Sequence, residues 1–138
     1  MFILILFSST LYAYNNPAIV RITNATGTDC VLEKHIPLYG VLAENESIPN
    51  VIFSDQTIFF TIKPNEEEKR KAVLLSYACG DNRSITIFTD ITSFQGMFIS
   101  DGYVLKTNQI HTTFSEEHNE TGHFGDKSAI EVHWRLTR

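Results

Sequence analysis

The sequence predicts an all-β domain: an antiparallel sandwich of about eight short strands, with a closed barrel as the alternative. Three observations predict it. Ten Phe and five Tyr against two Met and one Trp suit a pleated surface better than a helix. Apolar residues repeat with a period of two, and no long stretch carries the helical period. Turn-forming residues break the chain at short, regular intervals.

The N-terminus opens on Met1-Phe2-Ile3-Leu4-Ile5-Leu6-Phe7, an apolar run followed by Ser8, Ser9 and Thr10. It is too short to span a bilayer, which takes roughly twenty apolar residues. Its length matches the h-region of a secretory signal peptide, and Ala13 is a small residue suited to precede a cut. The segment before the run lacks the usual Lys or Arg, a departure from that pattern. Residues 1–13 are accordingly read as a signal peptide and 14–138 as one exported domain, with an N-terminal strand as the alternative.

Within the domain, Val20 and Ile22 share one face of a first strand, with Arg21 and Thr23 on the other. Residues 24–27, Asn-Ala-Thr-Gly, form a turn. Cys30, Val31 and Leu32 begin a second run that ends near Pro37, and 38–42 is a weaker third run carrying Gly40. Ile58, Phe60 and Ile62 alternate with Thr57, Phe59 and Thr61 until Pro64 stops them. The charged stretch 65–71 reads as a hairpin loop or a single helical turn. Residues 72–79 are almost continuously apolar, as a central strand requires, and Gly80-Asp81-Asn82 turns them into a strand over 84–91. Ser100-Asp101-Gly102 reads as a further turn between strands at 94–99 and 103–105. A short strand over 110–114 leads to a polar loop, 115–128. The last strand alternates Ile130, Val132, Trp134 and Leu136 with Glu131, His133, Arg135 and Thr137.

Cys30 and Cys79 are the two cysteines, so an exported chain pairs them in one way. A loop of about fifty residues closed by a disulfide is stabilised by roughly 4 kcal/mol. Tyr77, two residues before Cys79, stands where a tyrosine corner would place it. An immunoglobulin domain, however, carries its tryptophan between the cysteines, and the single Trp134 lies in the last strand.

Charge excludes some partners. The net charge is -5, and the only basic run, Lys69-Arg70-Lys71, follows three glutamates. Nucleic acid and anionic membrane surfaces need concentrated positive charge, so neither is expected as a partner. No membrane insertion is expected once the signal peptide is removed.

No catalytic residues are assigned. No serine sits in Gly-x-Ser-x-Gly, paired cysteines supply no thiolate, and no Gly-rich phosphate loop occurs. The densest cluster of metal-binding residue types lies in 116–126, where His118, Glu120, His123 and Asp126 could hold a divalent ion such as Zn²⁺. Their spacing matches no established metal motif, and an ordinary solvated loop explains the same composition. His133 and Glu131 read as a surface pair on the last strand. Tyr39, Phe53, Phe94, Phe98 and Tyr103 could build an aromatic platform, or serve the core. Asn24, Asn45, Asn82 and Asn119 each begin an Asn-x-Ser/Thr acceptor, which a eukaryotic secretory pathway would read as glycosylation sites.

The expected function is an exported, non-enzymatic binding module that recognises a protein or glycan through its loops. The alternatives are a small secreted hydrolase or metal-binding protein using 116–126, and a carrier of an apolar ligand inside a barrel.

Overall fold

The computed structural model describes residues 17–43, 46–64, 70–94, 97–120 and 127–138; the proposed signal peptide lies outside them. Ten strands are present among the described residues: β1 (Ala18–Ala25), β2 (Cys30–Tyr39), β3 (Val41–Leu42), β4 (Val51–Ile52), β5 (Thr57–Lys63), β6 (Lys71–Ala78), β7 (Ser84–Phe94), β8 (Met97–Asn108), β9 (His111–Glu120) and β10 (Lys127–Thr137). They form two five-stranded sheets, in the orders β3-β5-β1-β10-β9 and β4-β2-β6-β7-β8. The fold is therefore a sandwich and not a closed barrel. One pairing departs from the antiparallel expectation: β1 and β10 run parallel, Val20 beside Val132 and Ile22 beside Trp134. The chain's first and last described strands thus lie side by side in the middle of the first sheet, where parallel pairs are usually buried.

Period-two alternation sends Val20, Ile22, Phe60, Val132, Trp134 and Leu136 inward from the first sheet, against Leu75, Tyr77, Ile85, Ile87 and Ile91 of the second. Each such side chain contributes roughly 1.5–3 kcal/mol by leaving water. The Trp134 indole N–H donates to Thr89 Oγ1 at 2.8 Å, so a hydrogen bond crosses the core. Tyr77 is wholly buried and its hydroxyl has no hydrogen-bond partner; burial raises its pKa. A tyrosine corner would bond that hydroxyl to backbone. Lys71, at the start of β6, is buried with the same inward parity, and burial pulls its ammonium down to about 8.

Cys30 and Cys79 are bonded, S–S 2.03 Å. The bridge joins neighbours in one sheet, beside the Val31–Ala78 pair of β2 and β6. An immunoglobulin-type bond would instead cross between sheets.

One turn and part of one loop expected from the sequence are strand. Ser100, Asp101 and Gly102 lie inside β8, and Phe94 of β7 pairs with Met97 of β8. Gly102 is demanded by packing: a Cβ there would stand 2.5 Å from the Phe114 ring and 2.8 Å from Trp134. Likewise the polar loop expected at 115–128 is strand as far as Glu120, paired to β10. Edge strands tolerate, and profit from, charged side chains, so polar composition did not mark a loop there. The weak run at 38–42 is divided by Gly40, at φ +84°, where the chain passes from β2 in one sheet to β3 in the other. A side chain there would meet the Lys63 carbonyl oxygen at 2.7 Å.

Candidate ligand-binding face

The residues expected to bind metal lie only in part among the described residues. His118 and Glu120 lie on β9, in register with Ile130 and Lys127, while His123 and Asp126 lie outside the described residues. Among the described residues no three His, Cys, Asp or Glu side chains converge as a metal site would need. His133 stands on the outer face of the first sheet, its Nε2 2.7 Å from Thr23 Oγ1. Its neighbour Glu131 accepts from Arg21 Nε at 3.4 Å, and the Arg21 guanidinium lies over the Phe59 ring. This is an ordinary polar sheet face.

Of the four glycan acceptors, Asn24 is wholly buried. Its amide donates to the Thr28 and Ile52 carbonyls at 2.7 and 2.8 Å, and its oxygen accepts from the Thr26 hydroxyl at 2.6 Å. The Asn-Ala-Thr triplet is thus a pin closing one end of the sandwich, and a glycan would have to displace those bonds. Asn82 is exposed on the β6–β7 turn at φ 59°. Asn119 lies on β9, and Asn45 is outside the described residues.

The outer face of the second sheet differs in kind. Alternation along β6 and β7 sends Val73, Leu75, Ile85 and Ile87 inward, leaving Leu74 and Phe88 on the opposite side. Register then aligns Ile36 of β2 with Leu74, Leu74 with Phe88, and Phe88 with Tyr103 of β8. Four apolar side chains therefore form one row across four strands, about 14 Å long at the usual strand spacing. Ile36 is 39% and Tyr103 47% exposed. The Phe88 and Tyr103 rings stack at 6.0 Å between centroids.

Polar rows flank it. On one side stand Lys34, Ser76, Thr86 and Lys106, with the two hydroxyls 2.7 Å apart. On the other side Tyr39, Ala72, Asp90 and Asp101 align. There Arg70 donates twice to Asp90, both bonds 2.8 Å, and stacks 4.5 Å over the Tyr39 ring. Paired with Asp90, the Arg70 guanidinium is held above its ordinary pKa. An apolar stripe bordered by fixed polar and charged groups suits an amphiphile.

No family model matches the chain, and no curated protein matches it. Thirteen chains of solved structures do. The fold is similar to that of the lipid binding protein Nakanori. The two share 13% identity with a TM-score of 0.58, over 96% of this chain and 76% of the other. Likeness at that identity shows a shared fold.

Of the aromatic residues singled out in the sequence, Tyr103 lies in the row and Tyr39 beside it, whereas Phe53 is exposed on the 53–56 turn. The side chains of Phe94 and Phe98 are outside the described residues. Ile36, Leu74 and Phe88 were not singled out. A signal for Phe88 was present, because it falls out of phase with Ile85, Ile87 and Ile91.

Proposed function

We propose that this chain is a non-enzymatic binding module that takes an amphiphilic, lipid-like ligand on the outer face of its second sheet. The observation carrying the proposal is the register-aligned row Ile36, Leu74, Phe88 and Tyr103, apolar and partly open to water. Side chains left in water on a sheet interior gain free energy when an apolar partner covers them, roughly 25 cal/mol per Å². The likeness to a lipid binding protein supports the same ligand class. A buried disulfide fits an exported protein, which would meet such ligands outside the cytosol. The net charge of -5 favours zwitterionic over anionic lipid. A carrier of an apolar ligand belongs to the same ligand class, although the two sheets form a sandwich and not a closed barrel.

The test is sedimentation with phosphatidylcholine vesicles. Wild type is expected to co-sediment with weak dependence on salt. An Ile36→Asp/Phe88→Ser variant, altered only on the outer face, should lose about tenfold or more in affinity while keeping its unfolding midpoint within a few degrees. No binding by wild type, or equal binding by both proteins, would overturn the proposal.

A further inference from the structure

β8 ends the second sheet. It bonds β7 along its length, and no strand lies on its other edge among the described residues. An open edge offers unpaired N–H and C=O groups to another strand, and proteins usually blunt it by shortness, proline, charge or bulges. β8 is 12 residues long and has no proline. It exposes Ile99, Tyr103, Val104 and Leu105. Its guards are three: Asp101, Lys106, and a bulge between Val104 and Lys106.

The bulge sets which side chains share a face. By their partners on β7, Asp101, Tyr103 and Lys106 stand on the outer face, beside Asp90, Phe88 and Thr86. Leu105 is the extra residue that brings Lys106 into phase with them. Consider β8 laid antiparallel against β8 of a second copy about a two-fold axis through Tyr103. Asp101 of each copy then opposes Lys106 of the other, giving two ion pairs on the outer face. Gly102, which has no side chain, opposes the two-residue bulge. Centring the axis on Asp101 or on Lys106 would set like charges face to face, and centring it on the bulge would pair neither charge.

We propose that β8 is a homodimer interface, in which two copies join their second sheets edge to edge about Tyr103. The partner is identified by self-complementarity: one strand carries both members of each ion pair in the order an isologous contact requires. The dimer is a ten-stranded continuous sheet, and it aligns the Ile36–Leu74–Phe88–Tyr103 row of each copy end to end. The inference concerns the edge of the sheet and stands whether or not its face binds lipid.

The experiment is sedimentation equilibrium on the purified, oxidised chain, with charge exchange at the two positions. Wild type is expected to be a dimer. Asp101→Lys and Lys106→Asp, each alone, place like charges together twice and should weaken the dimer about tenfold or more. The combined D101K/K106D variant re-forms both pairs with signs reversed and should recover wild-type association. A Tyr103→Cys variant should cross-link between copies under mild oxidation, because directly opposed residues lie about 5 Å apart; a Phe59→Cys variant, on the other sheet, should not. A monomeric wild type, single variants that still dimerise as wild type does, or a double variant without rescue would overturn the proposal. So would an open series of oligomers in place of a dimer.

Discussion

Lys71 offers the sharpest perturbation of this fold. It is wholly buried, with the inward parity of Val73, Leu75 and Tyr77, and desolvation lowers its pKa from 10.5 to about 8. The unfolded chain holds that proton up to pH 10.5, and the folded chain gives it up near 8. Above pH 10.5 neither state is charged, so the lysine exerts no pH-dependent penalty. As pH falls through the window from 10.5 to 8 the unfolded state alone gains a proton, and stability declines; below pH 8 the loss is complete. At roughly 1.4 kcal/mol per pH unit, the penalty at pH 7 is about 3 kcal/mol, and raising pH from 7 to about 9.5 should recover about 2 kcal/mol of it. Tyr77 does not mask the rise: its unfolded form ionises near pH 10, so its burial lowers stability only above that. Lys71→Met keeps the apolar stem and removes the charge. Urea melts at pH 7, 8, 9 and 9.5 should show wild type gaining stability while Lys71→Met stays level and is the more stable protein at pH 7. Parallel pH profiles for the two proteins would refute the reasoning.

Other outcomes can be checked with the same melts. Gly102→Ala should cost roughly 1–3 kcal/mol, because its methyl must displace the Phe114 and Trp134 rings; an unchanged midpoint would show that those rings yield freely. Reducing Cys30–Cys79, which closes a separation of 49 residues, should lower stability by about 4 kcal/mol, and a reduced protein melting with the oxidised one would count against that. His35 faces inward beside Leu75, its Nε2 is buried without a hydrogen-bond partner, and burial lowers its pKa. Stability should therefore fall as pH drops below about 6.5, where the unfolded chain takes up the proton first; His35→Gln should flatten that limb, and an identical acid limb would remove His35 as its cause.

Much of the architecture was legible in the chain. Strict alternation from Ile130 to Leu136 fixed the inward face of β10, and Gly80-Asp81-Asn82 marked the β6–β7 turn with Gly80 and Asn82 both at positive φ. Two cysteines left one pairing, and that pairing is present. Misreadings arose where local chemistry had two explanations. Asp-Gly at 101–102 is a turn signal, but here the glycine serves the close approach of two aromatic rings from the other sheet. A polar run such as 115–120 suits a loop, but it equally suits an edge strand with one neighbour. Of the His–acid cluster at 116–126, only the residues as far as Glu120 belong to a described strand.

The sequence by itself determined the class of the protein: an acidic, disulfide-closed, all-β chain, because period-two patterning and paired cysteines are local properties. Strand order was decided only by tertiary structure. The parallel seating of β1 against β10 joins residues more than a hundred positions apart, and no local preference encodes that choice. The apolar row has the same origin. Ile36, Leu74, Phe88 and Tyr103 are unremarkable one at a time, since single exposed apolar residues are normal on any surface. They become one apolar row because cross-strand register sets them side by side, and register is a property of the assembled sheet.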